Sequence, residues 1–365
     1  MAIFTDVLCD VTKKGRKLPT NEYKNFGLYP IIDQGQNDIA GYTDEASGLF
    51  TDVPVIIFGA HTRILKYVDT PFFIGADGVK ILKARDYGAN YKFLYYALSS
   101  AKIPNSGYNR HFKWLKEVDI PSYSQQEQTK IVEELDRIIN LIDLRTQQLK
   151  KLDELVKSRF IEMFGDPVDN PLHWDKKQLQ EVVTDDCSIS YGIVQTGDEQ
   201  REGVPVFRPI DIVNRIPKLE ELKKTTKEIS DKYKRTILKG REMLITVRAN
   251  IADTCVVGAE FTGCNVGRGI VPIRTKEDII ILEFLKHQLD SKHLNDNIKE
   301  LAKGIALVQL NMEDLRQVEL ILPPIELQNE FLQFAQQPDK LKFEVKEALE
   351  KLEILKKSLM QQYFG

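Results

Sequence analysis

Residues 149–165 read LKKLDELVKSRFIEMFG, and residues 349–365 read LEKLEILKKSLMQQYFG. A shift of 200 residues, from Leu149 to Leu349, aligns the two without a gap. Leu149, Lys151, Leu152, Leu155, Lys157, Ser158, Phe164 and Gly165 recur as Leu349, Lys351, Leu352, Leu355, Lys357, Ser358, Phe364 and Gly365. The same shift pairs Leu115 with Leu315, Val118 with Val318 and Gln128 with Gln328. A match held at one spacing marks two diverged copies of one unit. A weaker echo, at a shift of 191, sets Gly78, Phe93, Leu94 and Leu98 against Gly269, Phe284, Leu285 and Leu289. Each copy reads as a globular part followed by a long helical part.

The helical parts show alternating steps of four and three. Ile131, Leu135, Ile138, Ile142, Arg145, Leu149, Leu152, Val156, Arg159 and Met163 form the first seam, mostly apolar and flanked by charge, as in a coiled coil. Phe331, Ala335, Pro338, Lys342, Val345, Leu349, Leu352, Lys356, Leu359 and Tyr363 form a poorer second seam. Pro338 is expected to break or kink that helix. A helix of about 40 residues spans about 60 Å, so each should protrude from its globular part, and two such seams pack most simply antiparallel. Strands are expected at 53–58, 71–74 and 79–82, with a helix over 90–100. In the second copy they fall at 243–247, 254–257 and 270–273, with a helix through 278–291. The resulting fold class is mixed α/β (α+β) in two pseudo-repeats, joined by two long antiparallel coiled-coil helices. The expected boundaries are 1–121, 122–165, 166–323 and 324–365.

The chain has 365 residues, 42% hydrophobic and 29% charged, enough apolar content for two cores. No apolar run approaches the ~18 residues of a membrane span. The N-terminus MAIFTDVLCDVTKKGRK lacks the apolar stretch of a signal peptide. The four cysteines (Cys9, Cys187, Cys255, Cys264) form no CxxC pair and read as free thiols in a reducing cytoplasm. No phosphate-binding glycine loop or GxGxxG is present, and the five histidines form no metal-binding spacing. Asn170-Pro171-Leu172 faintly resembles the base-gripping loop of amino-methyltransferases, but it lacks the second proline and the aromatic ring and reads as a turn. The chain is expected to be non-catalytic and to hold no metal.

A net charge of −3 excludes a globally basic binder, but charge is unevenly placed. Residues 101–116 carry Lys102, Arg110, Lys113 and Lys116 with no acid, interleaved with Tyr108, His111, Phe112 and Trp114 and with Asn105, Ser106 and Asn109. Cations suit phosphates, and amides and guanidinium groups suit base edges. Lys13, Lys14, Arg16 and Lys17 make a second basic cluster, and Arg63 joins the candidates of the first copy. Residues 201–250 hold 13 Lys and Arg against 7 Asp and Glu, whereas 166–200 are net acidic. Lys223, Lys224, Lys227, Lys232, Lys234 and Arg235 are candidate phosphate contacts; Arg208, Arg248, Asn250 and Arg268 lie at strand ends or glycine-rich turns within reach of bases. Seam residues Ile131, Leu135, Ile138, Ile142, Leu149, Leu152, Val156, Leu349, Leu352 and Leu359 are the candidate partner contacts.

Each globular part ends in Leu-x-x-Val, a proline and a glutamine opening the long helix: LKEVDIPSYSQQEQTKIVEELDRI and LRQVELILPPIELQNEFLQF. With YPIIDQGQNDIAGYTDE in the first copy, and VPVFRPIDIV through LKGREMLITVRANIADTCVV in the second, the chain resembles the specificity subunit of type I restriction-modification systems. The resemblance implies two target recognition domains, each reading half of a split double-stranded DNA site. It also implies a helical shaft that docks two methyltransferase (modification) subunits, joined by restriction/translocase subunits. S-adenosylmethionine, Mg and ATP would then serve the partner subunits, with no cofactor on this chain and a cytoplasmic, membrane-free setting. The alternative is a coiled-coil adaptor with protein-binding heads, disfavoured by the basic, aromatic loops.

Overall fold

The structure is a computed structural model that describes residues 1–365 apart from residues 76, 106, 108, 213–216 and 305–307. Tyr108 and Ser106 of the basic stretch therefore lie outside the described residues. The chain divides into two compact units, Met1–Gln147 with Lys346–Gly365, and Gln148–Val345.

The first unit runs β1 (Ala2–Ile3), α1 (Phe4–Val7), β2 (Leu8–Asp10), β3 (Tyr29–Ile32), β4 (Gly41–Thr43), β5 (Val55–Gly59), β6 (Leu65–Val68), β7 (Phe73–Ile74), β8 (Val79–Ala84), α2 (Tyr91–Ser100), α3 (Phe112–Leu115) and β9 (Asp119–Ile120), then the opening of α4 (Gln125–Phe164). Strands β2, β8, β5 and β6 form one antiparallel sheet in that order. A second sheet is ordered β4-β3-β7, with β3 and β7 parallel, and β1 pairs with β9. Strand β5 is buried along its length, and its alternating side chains serve two cores. Ile56 and Phe58 pack with α2, while Val55 and Ile57 pack with Ile32, Phe72 and Ile74. Helix α4 starts where Ser124 and Glu127 cap each other, Ser124 N donating to Glu127 Oε2 at 2.8 Å and Glu127 N to Ser124 Oγ at 3.3 Å. Its first seam residues Ile131, Leu135 and Ile138 share a core with Leu359 near the chain's end, and Tyr363 Oη donates to Glu134 Oε2 at 2.6 Å.

The second unit repeats this order. It contains β10 (Lys176–Gln178), α5 (Leu179–Val182), β11 (Val204–Phe207), β12 (Lys223–Thr225), α6 (Lys227–Asp231), β13 (Glu242–Thr246), β14 (Thr254–Val257), β15 (Asn265–Val266), β16 (Ile270–Ile273), α7 (Leu282–Leu289), α8 (Lys292–Glu300), α9 (Met312–Arg316), β17 (Glu319–Ile321) and the opening of α10 (Ile325–Phe364). Sheet β14-β13-β16 matches the β6-β5-β8 part of the first unit's four-stranded sheet, β12-β11-β15 matches β4-β3-β7 including the parallel pair β11–β15, and β10 pairs with β17. Helices α4 and α10 keep the sequence shift of 200, starting at Gln125 and Ile325. In this unit the closing turns of α4 meet the opening turns of α10. Phe160 and Phe331 stand 5.4 Å apart, and Lys342 Nζ lies 2.8 Å from Asp153 Oδ1. In both units the two long helices thus pair antiparallel.

Two expectations need correction. Helix α10 continues unbroken through Pro338. The proline, costing ~3 kcal/mol in a helix interior, is itself buried between the buried Ala335 and Val345, and this apolar anchoring on both sides holds the helix. The helix expected through 278–291 begins only at Leu282. Its Ile281 N–H is taken by the side chain of Gln328, at 2.9 Å, and Ile280 and Ile281 are buried after the turn at 277–279, with Ile281 extended.

Gln328 is fully buried, and its Nε2 also donates to Pro323 O at 2.8 Å and Ile279 O at 3.2 Å. Its counterpart Gln128 is half-buried and donates from Nε2 to Tyr123 O at 3.0 Å. Orphaned buried polar groups cost more than the mean worth of a hydrogen bond, so Gln328→Ala should cost ~2–4 kcal/mol and Gln128→Ala less than ~1 kcal/mol. Urea unfolding of the two variants checks this; equal losses would contradict it.

Candidate nucleic-acid interface

In the second unit, strand register brings distant residues to one sheet end. Strands β11 and β15 are parallel, so Arg208 and Arg268 leave their sheet at the same end, and Gly267 N donates to Phe207 O at 2.8 Å. Strand β13 arrives at that end next to β16, and Val247 N donates to Gly269 O at 2.8 Å. A Cβ on Gly269 would lie 2.5 Å from Pro209 Cγ and 3.4 Å from Arg248 Cβ, so the close approach of these segments requires glycine. The β13–β14 turn carries Asn250, between Ala249 and Ala252 in left-handed conformation. The rim thus unites all four candidates for base contact: Arg208, Arg248, Asn250 and Arg268.

Their side chains differ in freedom. Asp211 accepts from Arg208 Nε at 2.9 Å and Nη2 at 2.6 Å, which raises the guanidinium pKa further and fixes it in place. Arg248 donates to Gln309 Oε1. Asn250 and Arg268 are exposed.

The first unit builds the same rim from different residues. Ala60 N donates to Gly78 O at 2.6 Å and Gly75 N to Ile32 O at 2.8 Å. Gln34, just after β3, is the hub: Nε2 donates to Asp77 O at 2.8 Å, Oε1 accepts from His61 N at 3.2 Å, and its carbonyl accepts from Thr62 Oγ1 at 2.7 Å. Composition did not single out Gln34; its place two residues after β3, where Pro209 stands after β11 on the matching rim, is the sign that could have. Arg63, in left-handed conformation, donates to Ile103 O at 3.3 Å and so ties the rim to the basic stretch. Asp77 is held below the usual carboxylate range, first by the hydrogen bond from Lys17 at 2.6 Å, with the Arg110 charge adding to it.

The remaining candidates are dispersed. Lys13 and Lys14 are exposed on the turn Thr12–Lys14. Arg16 pairs with Glu45 at 2.5 Å, Lys17 with Asp77, and Lys223 with Glu199 at 3.0 Å. Lys224 donates to Arg201 O at 3.4 Å, and Lys234 and Arg235 are exposed on the turn Lys234–Thr236. Asn109, Arg110, Lys113 and Lys116 are exposed, with Lys113 Nζ 4.2 Å from the Trp114 ring centre and Lys116 Nζ 5.0 Å from that of Phe112. His111 does not belong with them. It is fully buried, its N donating to Ala60 O at 2.7 Å and its ring 5.3 Å from Trp114. An interleaved basic and aromatic stretch does not say which ring turns inward, and this one does.

Five of the seam residues offered as partner contacts also need correction. Ile131, Leu135, Ile138, Val156 and Leu359 are buried in the chain's own cores, and Ile142, Leu149, Leu152, Leu349 and Leu352 are half-buried. The helices present other apolar residues to solvent, among them Leu144, Leu155, Phe343 and Ile354. Asn170-Pro171-Leu172 is a turn, with Asn170 Oδ1 accepting from Trp174 N at 2.9 Å. Asp166, Asp169 and His293 bring possible ligand atoms within 4.8 Å of one another, a group that sequence spacing did not show because His293 comes from α8. Asp166 Oδ2 lies 2.9 Å from His293 Nδ1 and ties the chain after α4 to that helix. Burial raises the thiols of Cys255, to about 12, and Cys264, to about 11, so neither is an activated nucleophile. Among the described residues no helix is long and apolar enough to cross a membrane.

The family described as the type I restriction modification DNA specificity domain matches residues 6–154 and 171–354, once over each copy. The chain belongs to this family. It is similar to the type I restriction enzyme EcoBI specificity subunit of Escherichia coli, 25% identical over 277 residues that make up 68% of this chain and 58% of that protein. It is also similar to the EcoR124I/EcoR124II specificity subunit of Escherichia coli, 26% identical over 137 residues, 35% of this chain and 34% of the relative. The matches thus span between one third and three fifths of these relatives' lengths. Among solved structures, the type-I restriction-modification S subunit from M. genitalium shares the fold, with a TM-score of 0.59 and 17% identity, covering 100% of this chain and 95% of that one. The adaptor alternative finds no support among these relatives.

His111→Ala should cost ~2–3 kcal/mol in stability through lost packing of a fully buried ring, while its backbone N keeps the bond to Ala60 O. Any effect on nucleic-acid binding should follow the unfolded fraction; a native unfolding midpoint with binding lost would return His111 to the interface.

Proposed function

We propose that the chain is the sequence-specific DNA-binding subunit of a type I restriction-modification complex. Residues 1–121 and 166–323 act as two target recognition domains, each reading one half of a bipartite site in double-stranded DNA. Residues 122–165 and 324–365 form the shaft that docks and spaces two methyltransferase subunits, with restriction/translocase subunits joining the cytoplasmic assembly. The supporting observation is the rim built twice from one topology and furnished differently: guanidinium groups and Asn250 in the second copy, and Gln34, Thr62, Arg63 and the Asn109–Arg110 pair in the first. Guanidinium and amide groups are the side chains whose geometry matches base edges in the major groove. A repeated scaffold with unlike rims suits an asymmetric target.

The chain contributes binding and address. Methyl transfer with S-adenosylmethionine, and Mg- and ATP-dependent steps, are assigned to the partners, with no cofactor on this chain. Solvent-facing Leu144, Leu155, Phe343 and Ile354, rather than the buried seam, are the contacts offered to the methyltransferase subunits.

Lys113 and Lys116 lie beside the first rim's Asn109 and Arg110, where amines meet phosphates rather than bases. Replacing both with Ala should weaken binding to specific and scrambled duplexes alike and reduce the slope of log K against log salt by about 2. Fluorescence anisotropy over a salt series measures both quantities; an unchanged slope would contradict the assignment.

A further inference from the structure

Among the guanidinium groups of the second rim stands an aliphatic side chain that the charge pattern does not reveal. Ile210 is 74% exposed, whereas Ile212, two residues on, is buried in the core of the unit. Both belong to the single turn Pro209–Ile212. The turn cannot readily collapse to hide Ile210. Asp211 accepts from Arg208 N at 2.7 Å and from the Arg208 side chain, Asp211 N donates back to Arg208 O at 2.9 Å, and Pro209 is packed against Gly269. Ile210 therefore projects from a braced turn directly after Arg208, beside the segment that carries Arg268. Further exposed apolar groups share this rim. Tyr191 and Val194 flank Ile193, which pairs with Gly267, and Val308 precedes the Gln309 that holds Arg248.

We propose that Ile210 is a specificity-determining residue that reads a thymine in the half-site of the second recognition domain by packing on its 5-methyl group. The inference rests on the DNA-binding reading given above. A phosphate offers an aliphatic side chain nothing. In the major groove thymine alone of the four bases presents a methyl group, next to the acceptors that guanidinium groups favour. A water-exposed isoleucine on the rim that also carries Arg208, Arg248 and Arg268 matches that mixture. The contact expels water from both apolar groups, and burying one methyl group is worth about fourfold in affinity.

The test uses the full chain in complex with its methyltransferase subunits, on a duplex bearing the target found by methylome sequencing. Each thymine of the second half-site, on either strand, is replaced singly by deoxyuridine, which removes only the methyl group. The wild-type complex should lose about fourfold in affinity at one position. Ile210→Ala should bind the parent duplex about fourfold more weakly and no longer distinguish thymine from uracil there, while Ile210→Val keeps part of the discrimination. Because Ile210 is exposed, both variants should keep the wild-type unfolding midpoint. The proposal is overturned if no substitution affects the wild type, if Ile210→Ala retains its sensitivity, or if Ile210→Ala weakens target and scrambled duplexes equally, as a protein-docking or structural role would. A wild-type complex unable to tell target from scrambled DNA would instead sink the DNA-binding reading itself.

Discussion

Each unit depends on one aromatic closure at the end of a long helix. Phe164, the last residue of α4, is fully buried, with ring centres at 5.0 Å from Phe284, 5.2 Å from Phe160 and 5.7 Å from Phe331. One ring thereby joins the closing turn of α4, the helix α7 and the opening turn of α10. In the first unit Phe364 takes this place against Phe93 of α2, at 5.4 Å, and Tyr123 Oη donates to Tyr363 O at 3.2 Å. Edge-to-face and tilted aromatic pairs add to the burial of large apolar area, so these contacts resist splaying of the helices from the sheet. The phenylalanine-glycine pair that ends each helix is the sequence trace of this closure, and Gly165 ends α4 in a left-handed conformation.

With the helix clamped, the sheet behind it is placed, and with the sheet its rim. Buried on both faces, β5 and β13 leave no freedom of register, since a one-residue slip would exchange the two cores they serve. Exposed side chains on the segments leaving the sheet ends can then differ between the copies while the sheets stay the same. That division explains how two copies share one topology while one presents Gln34 and Thr62 and the other Arg208 and Arg268.

Much of this was legible in the residues. The repeat, both seams, the strands at 254–257 and 270–273 and the antiparallel helix pair followed from periodicity and from one constant shift. The resemblance to the specificity subunits supplied the functional class. The rim was not legible, because it arises from the parallel pairing of β11 with β15, segments far apart in sequence. Nor was the inward turn of His111, set by the Ala60 carbonyl, or the continuity of α10, where burial around Pro338 outweighs a local preference. Residues chosen by charge alone proved partly engaged at home, as with Arg16 and Glu45, because composition does not show which acid lies across the surface.

The central claim is that the two rims read two half-sites independently. Its most direct test is methylome sequencing of cells that carry the chain with its partner subunits, beside cells carrying the Arg268→Ala, Asn250→Ala variant. The account predicts a bipartite, asymmetric methylated site in which the variant relaxes or alters one half and leaves the other half and the gap unchanged. A continuous site, or changes in both halves together, would contradict it.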